Sequence, residues 1–454
     1  MRKTNVPPIT VPAKLTGSDS SSMQRRGCES FRALAKDTEV HPACFVTPES
    51  AREFTVKSGG HMAFAGGSNI EDGVTVDLAR INQVTVSDDR QTVSIGPGNR
   101  WYNVSQVLDP LGLAVVGGRV NDVGVSGLIL RGGISFFSGE YGWACDNVRN
   151  FEVVLASGEI ALRGGGGSNF GVVTRFDLVA FEQGDVWLYN PIYTLASSSD
   201  LVPAFVDLVV DGLPSDHDAH TFFVITNFPG YGDIIANYMY HAKPPMVAED
   251  VPPVFVDAIA VPGAVSTTTL VANISTHTIN LSEPYGMRKS WSGTSVYLKE
   301  GSAQLLQDII QLWQAHAQDV MAAAGKTNTT LSPLLVYQPI STNIIEAMQK
   351  NGGNALGLAP EEGPLVHIQV TTHWETSKLD CLVEESVAKL IDEIDALAEQ
   401  RGLAANYIYM NYAGKHQDVY GGYGSENHDR LRKISDIYDP ERLFKGLWRG
   451  YFKA

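Results

Sequence analysis

The sequence predicts an α+β fold, and three observations predict it. From about Val40 to Phe181, short runs of β-branched and aromatic residues alternate with glycine clusters, as strands ended by tight turns would. Between about Val186 and Leu403, runs such as Thr221-Phe222-Phe223-Val224-Ile225-Thr226 and Leu365-Val366-His367-Ile368-Gln369-Val370 have strand composition. Interleaved with them, two long stretches carry apolar residues at helical spacing.

Taken in order, residues 1–39 are expected to be poorly ordered, since the segment to about Arg26 is rich in Ser, Thr and Pro. The basic start Met1-Arg2-Lys3 has no apolar core behind it and does not read as a signal peptide. A first strand over Phe54, Thr55 and Val56 ends in Ser58-Gly59-Gly60-His61. Two glycines at a strand end let backbone N–H groups crowd inward and make a cradle for an anionic pyrophosphate. His61 stands at its lip, a nucleophile beside whatever the phosphates anchor. On these residues alone, a plain tight turn with a surface histidine carries equal weight. Further clusters follow at 96–98, 117–127, 132–133, 141–148 and 163–175. Together they suggest a long ligand lying against backbone at several points, and a dinucleotide fits. The usual dinucleotide fingerprint and the triphosphate-binding loop are both missing.

Farther on, the spacing predicts a helix over 303–324, with Leu305, Leu306, Ile309, Ile310, Leu312 and Trp313 on one stripe. A second covers 381–400, with Val383, Val387, Leu390, Ile391, Ile394 and Leu397 in register and Gly402 at its C-cap. Both stripes read as core packing with no cofactor role.

At 454 residues with 44% hydrophobic content, the chain can build two or three lobes around substantial cores. Its net charge of −16, from 34 basic and 50 acidic residues, excludes nucleic acid as an expected partner. No apolar run approaches the ~18 residues of a membrane span. Four cysteines are too few for a disulfide scaffold, and no Cys/His grouping has zinc-ligand spacing. Asn-x-Ser/Thr patterns at Asn103, Asn273, Asn280 and Asn328 hint at a secretory route without deciding it.

Residues 57–61, 117–127, 133–142, 145–148 and 164–175, with 407–413 and 438–444 near the other end, resemble the berberine-bridge-enzyme-like FAD-linked oxidases, most of all their fungal branch. The resemblance covers nearly all of the chain from Pro42 onward. It implies a two-lobed FAD-binding domain of the p-cresol methylhydroxylase type over 40–185. An α+β substrate domain with an antiparallel sheet would span 186–403, and a segment over 404–454 would return to the flavin. Relatives are mostly secreted and often bridge the positions of Cys28 and Cys44; four separate thiols are the alternative.

The resemblance also implies a cofactor, FAD, joined through His61 to the 8α-methyl of its ring. The cofactor-binding residues it implies are Ser58, Gly59, Gly60, His61, Val123, Gly124 and Gly127, with Gly132, Gly133, Val173 and Asn411. Val120 occupies the place of a second attachment cysteine, so one covalent bond is expected. Val123 matches a position that admits oxygen in relatives, or is simply a packing residue. Tyr409 and Tyr412 are the candidates for the base that takes the substrate proton; tyrosines packing a domain interface are the alternative. On a regular strand the two would point to opposite faces, so only one could reach the flavin.

The implied function is an oxidase that takes hydride from a small organic substrate (an alcohol, amine or activated C–H) and passes electrons to O2 to give hydrogen peroxide, in secondary metabolism. A flavin dehydrogenase with another acceptor and a flavin-poor, non-catalytic remnant are the alternatives. The chain departs from relatives in three places. Only residues 47–53 link two strands that relatives join by a helix, although a parallel crossover needs about a dozen residues. A segment is missing after 156–160, and Arg131 replaces the first of three glycines. Weak FAD binding is expected from the missing blocks.

Overall fold

The computed structural model describes residues 53–71, 73–155, 160–162, 169–228, 230–247, 250–450 and 452–453. β1 (Phe54–Lys57) and β2 (Val74–Asp77) pair in parallel, Phe54 opposite Val74. The link between them holds Ser58-Gly59-Gly60-His61. A separate antiparallel sheet follows: β3 (Val84–Val86), β4 (Thr92–Ile95), β6 (Val148–Val154), β7 (Ile160–Leu162) and β8 (Val172–Glu182) run in the order β3-β4-β8-β6-β7, while β5 (Leu113–Val115) pairs with β8. Val93, Ile95, Phe176 and Leu178 bury one side of it against Trp101 and Val104 of helix α1 (Trp101–Leu108). Gly117 and Gly118 serve this packing, because an added Cβ on either would meet the Trp101 indole at 2.3 or 2.4 Å.

The larger unit is an eight-stranded antiparallel sheet. In chain order its strands are β9 (Val186–Thr194), β10 (Ala219–Phe228), β11 (Gly232–His241), β12 (Ala264–Ala272), β13 (Arg288–Tyr297), β14 (Leu331–Ile340), β15 (Leu365–Trp374) and β16 (Ala404–Ala405). In space they run β12-β9-β11-β10-β14-β15-β13-β16. Helices α2 (Ser302–Thr327) and α3 (Asp380–Gln400) cover one face. There Leu306, Ile309, Trp313, Val387 and Ile391 pack on Phe223, Ile225 and Ile368. On the other face Phe222, Tyr240 and Leu188 meet Phe136 and Phe137. Central strands buried on both sides are the reason that 221–226 reads as a continuous apolar run with no alternation.

Both predicted helices exist, slightly longer than their stripes. The end of α3 is a glycine-capped turn: Gly402 has φ +67°, its N–H donates to the Glu399 carbonyl at 3.0 Å, and the Leu403 N–H donates to Ala398 at 2.9 Å. Those two bonds satisfy carbonyls that the helix leaves open. At the far end, the Asp439 carboxylate accepts from the Leu443, Phe444 and Lys445 N–H groups at 2.7, 2.8 and 3.2 Å. Asp439 of the 438–444 motif is therefore a helix cap.

One expectation is corrected. Residues 406–412 form no strand; Tyr412 N–H closes a turn onto the Tyr409 carbonyl at 2.8 Å. The strict alternation of faces does not apply, and both tyrosines turn the same way. The side chain of Gln417 fixes this loop, accepting from the Gly293 and Gly414 N–H groups and donating to the Gly293 carbonyl of β13 at 2.7 Å. The 47–52 link, the 156–159 break, the 163–168 turn, Cys28 and Cys44 lie outside the described residues. Cys145 and Cys381 are unpaired thiols.

Candidate active site

Two loops cross with their backbones in contact. A Cβ on Gly59 would stand 2.5 Å from the Cα and N of Gly124, and one on Gly124 would stand 2.3 Å from the Gly59 nitrogen. No side chain larger than hydrogen fits at either place. Ser58 and Ser126 both donate to the Pro97 carbonyl, at 2.5 and 3.3 Å, and Arg100 donates to the Gly59 carbonyl at 3.3 Å. The crossing forms the floor of a cavity with about 1430 Å³ of empty space, counting its open mouth. Gly127 opens onto it, with nothing within 4 Å of an added Cβ.

The sequence-predicted residues converge on this space. Ser58, Gly59, Gly60 and His61 line one end, and Val123, Gly124 and Gly127 line the floor. Val173 comes from β8, while Tyr409, Asn411 and Tyr412 come from the turn anchored on β13. Gly132 and Gly133 do not reach the cavity wall. They stand one layer behind it with φ +112° and +101°, Gly132 against the Trp143 ring and Gly133 against Ala144 and Leu128. Arg131 has no such positive φ. It is accommodated because only the two residues after it need left-handed backbone. Val120 stands in the wall where a second attachment would need a sulfur.

The tyrosines differ in their partners. The Tyr409 oxygen accepts from the Gly133 and Ile134 N–H groups, both at 3.1 Å, and from Asn411 Nδ2 at 2.9 Å. It is wholly buried, and that burial raises its hydroxyl well above the ordinary value. Tyr409 ties the glycine turn to the wall. The Tyr412 oxygen instead receives an N–H from Arg119 at 3.1 Å. Arg119 is only 8% exposed, its guanidinium lies 4.6 Å over the Phe222 ring, and it donates to His220 Nε2 at 2.8 Å. Burial, then the neighbouring Arg119, pushes His220 far below its usual range, so it is neutral. Among the described residues no carboxylate lies within ion-pair distance of Arg119.

A second group of charges surrounds His61. Its Nε2 lies 3.3 Å from Asp122 Oδ1 and 3.8 Å from Glu283 Oε2, and its ring centroid lies 5.6 Å from that of Trp291. Lys289 is ion-paired to Glu283, and His373 stands 3.7 Å from it. Burial alone would raise the Glu283 carboxyl; His373, His61 and Lys289 outweigh it and hold it down to about 2. Chiefly through His61, the Asp122 carboxyl also sits below its ordinary value, against the effect of burial.

Arg131 lines the cavity beside Met62, and Lys453 stands behind it over the Trp448 ring. Arg131 donates to the Met62 sulfur at 3.5 Å and lies 5.8 Å over the Phe452 ring. Burial, then repulsion from Arg131, lowers the Lys453 amine to about 8. Mutual repulsion of this kind is relieved by an anion. Arg131→Ala is therefore expected to weaken FAD binding about tenfold, the size of one charge-assisted hydrogen bond. Titrating FAD into the apoprotein at low and high salt checks it; an unchanged affinity would assign Arg131 to packing alone.

Arg119 and Asp122 lay inside a glycine motif read for its backbone. Glu283, Trp291 and Gln369 reach the cavity from the distant strands β13 and β15 and the loop before β13, and no local pattern marks them.

A glycine crossing, a histidine at its lip and a wall of hydrogen-bonded tyrosines around one cavity are the site of a flavoprotein oxidoreductase. An FAD binding domain family matches residues 33–162. The fold is similar to that of 6-hydroxy-D-nicotine oxidase from Arthrobacter nicotinovorans, at 18% identity and TM-score 0.68, covering 86% of this chain and 85% of that one. Xylooligosaccharide oxidase from Myceliophthora thermophila C1 is similar at 19% identity and TM-score 0.67, covering 88% and 87%. In sequence the chain is 34% identical over 422 residues to the FAD-dependent monooxygenase tpcD of Cochliobolus heterostrophus, spanning 88% of this chain and 80% of that relative. It is 33% identical over 452 residues to the FAD-dependent monooxygenase FUP4 of Fusarium proliferatum, spanning 91% and 85%. The chain belongs to the same family of FAD-dependent oxidoreductases as these fungal monooxygenases.

Proposed function

We propose that this enzyme is an oxidase of a small organic molecule, with FAD attached through His61 and O2 as the electron acceptor. The observation that carries the reading is the single cavity joining the His61 cradle to the Arg119–Tyr412 pair. When bound, the flavin accepts hydride from the substrate and hands its electrons on to dioxygen. The residues have the following roles. Ser58, Gly59, Gly60, Gly124 and Gly127 hold the cofactor by backbone approach, with Val173 and Asn411 beside it, and Gly132 and Gly133 shape that wall from behind. Tyr412 takes the proton that leaves as hydride departs, and Arg119 presents a cation to the oxygen that receives it. Tyr409 positions Asn411 and the 132–134 turn. Val123 leaves the floor open to O2.

The names of the relatives bear on the acceptor. Monooxygenases and oxidases, the two kinds of enzyme named among the relatives, both consume oxygen, and they differ in whether an oxygen atom enters the product. Turnover under isotopic O2 decides the point: hydrogen peroxide in proportion to substrate with no label in the product is expected. Label in the product would make this chain a monooxygenase. A reduced flavin that persists in air would make it a dehydrogenase.

His61→Ala is expected to leave FAD bound but free to dissociate. Acid precipitation should then leave yellow supernatant with the variant and a yellow pellet with the wild type. Flavin wholly in the supernatant for both would remove His61 from the attachment.

A further inference from the structure

We propose that Arg119 is a receptor for a carboxylate, so that the substrate reaches the flavin as the anion of an organic acid. This rests on the reading that the Arg119–Tyr412 pair stands where the substrate is oxidised.

A guanidinium keeps its charge in proteins and carries five N–H donors. Arg119 uses two of them, one on His220 Nε2 at 2.8 Å and one on the Tyr412 oxygen at 3.1 Å. The other three have no acceptor among the described residues. Neither partner supplies a negative charge, since His220 is neutral and Tyr412 accepts through a phenol oxygen. The Phe222 face, 4.6 Å from the guanidinium, adds only the quadrupole of a ring. A cation so deeply enclosed is ordinarily matched by an anion. Here the match is left to a ligand, because Arg119 lines the cavity.

The place of the charge narrows the ligand. The Trp291 ring lies 5.6 Å from His61 and 6.5 Å from Tyr412 by centroids, so Arg119 belongs to the His61 end of the cavity. On the reading above, the flavin ring lies there and the phosphates lie on the Gly59–Gly124 crossing, with Arg131 as their own cation. Glu283 shares the wall, but Lys289 matches its charge. Asp122 does not line the cavity. At this end Arg119 is the charge left unmatched. Gln369 of β15 adds a neutral donor: it is 7% exposed, lines the same space, and its side-chain amide has no partner among the described residues.

The shape of the donors favours a carboxylate. Two N–H groups of one guanidinium run parallel in a plane and fit its two oxygens together. A phenolate would leave one of them open. A phosphate dianion would bring more charge than one cation matches, against a wall that also holds Glu283. The same guanidinium holds Tyr412, so the acid group and the atom that yields its proton lie within reach of one side chain. The carboxylate therefore stands within a few bonds of the carbon that loses hydride.

The test compares benzoate with benzamide, its neutral counterpart of similar shape, on the FAD-loaded protein. Binding is read by calorimetry and by perturbation of the flavin absorption band. Benzoate should bind the wild type about ten- to a hundredfold more tightly than benzamide, the scale of hydrogen bonds to a charged group. Arg119→Gln keeps a donor without the charge and should bind the two alike. Arg119→Lys should keep part of the preference, as a point charge without the fork. A wild type that binds benzoate no better than benzamide, or not at all, would overturn the proposal. A benzoate preference undiminished in Arg119→Gln would do the same, since the anion would then sit elsewhere. If Arg119→Gln does not fold, Arg119→Lys and the wild-type comparison decide. An enzyme that selects benzoate through Arg119 but keeps its reduced flavin in air would sink the oxidase reading alone. One that makes hydrogen peroxide yet ignores the charge of the probe would sink this proposal alone.

Discussion

Tyr412→Phe is expected to slow reduction of the bound flavin by substrate about 10²- to 10⁴-fold, the range lost with a positioned proton acceptor. The variant keeps the ring, its T-shaped contact with Tyr409 at 4.9 Å and its packing near Trp291. It loses only the oxygen that Arg119 holds. Flavin content should change little, and stability should fall by no more than the ~1–3 kcal/mol of one buried Arg119 N–H left without its acceptor. Tyr409→Phe provides the contrast. It leaves the Gly133 and Ile134 N–H groups buried without an acceptor, so it should cost about 1–3 kcal/mol of stability and slow the chemistry much less. Anaerobic stopped-flow reduction at saturating substrate separates the two. A Tyr412→Phe enzyme that reduces at the wild-type rate would mean that the proton leaves by another route.

Gly124→Ala is expected to empty the protein of flavin. Its Cβ would fall 2.3 Å from the Gly59 nitrogen, 2.7 Å from the Gly59 Cα and 2.8 Å from the Ser58 hydroxyl. Neither loop can give without opening the crossing. Overpacking of this kind costs about 1–3 kcal/mol or more, a ten- to hundredfold loss in affinity if the strain falls on the cradle. Gly59→Ala should behave alike. Gly127→Ala is the control, since its new methyl meets open space. Flavin absorbance of the purified proteins and FAD titration provide the measurement. Normal occupancy in Gly124→Ala would show that the crossing yields easily and is no part of the cradle's fit.

Legibility in the sequence followed the range of the forces involved. The α2 and α3 stripes were readable because helical burial repeats every few residues, and the Gly402 cap because positive φ selects glycine. His61 and the Gly59–Gly124 pair were readable as motifs, since close backbone approach leaves a local mark. The shared orientation of Tyr409 and Tyr412 was not. Their segment has strand composition, and only the Tyr409–Tyr412 turn and the distant Gln417 anchor bend it. Gly117 and Gly118 look like ligand-facing glycines, yet they make room for an indole. Glycine reports that something is close and is silent on what. Arg119 and Glu283 were hidden for another reason: a charge is given its meaning by neighbours a hundred residues or more away, His220 for the first and His61 for the second.

The strand that leads into the cradle is finished by the last part of the chain. Phe54 N–H donates to Leu447 at 2.8 Å, Phe54 stacks on Trp448, and Thr55 donates to Arg449 across 394 positions. Order of synthesis then matters. β1 leaves the ribosome early and waits, with one edge unmatched, while about 390 further residues are made. Contacts of such long sequence separation form late. Cofactor capture is thereby postponed until residues 447–449 have been made, and the Ser58–His61 lip is left without its backing until then.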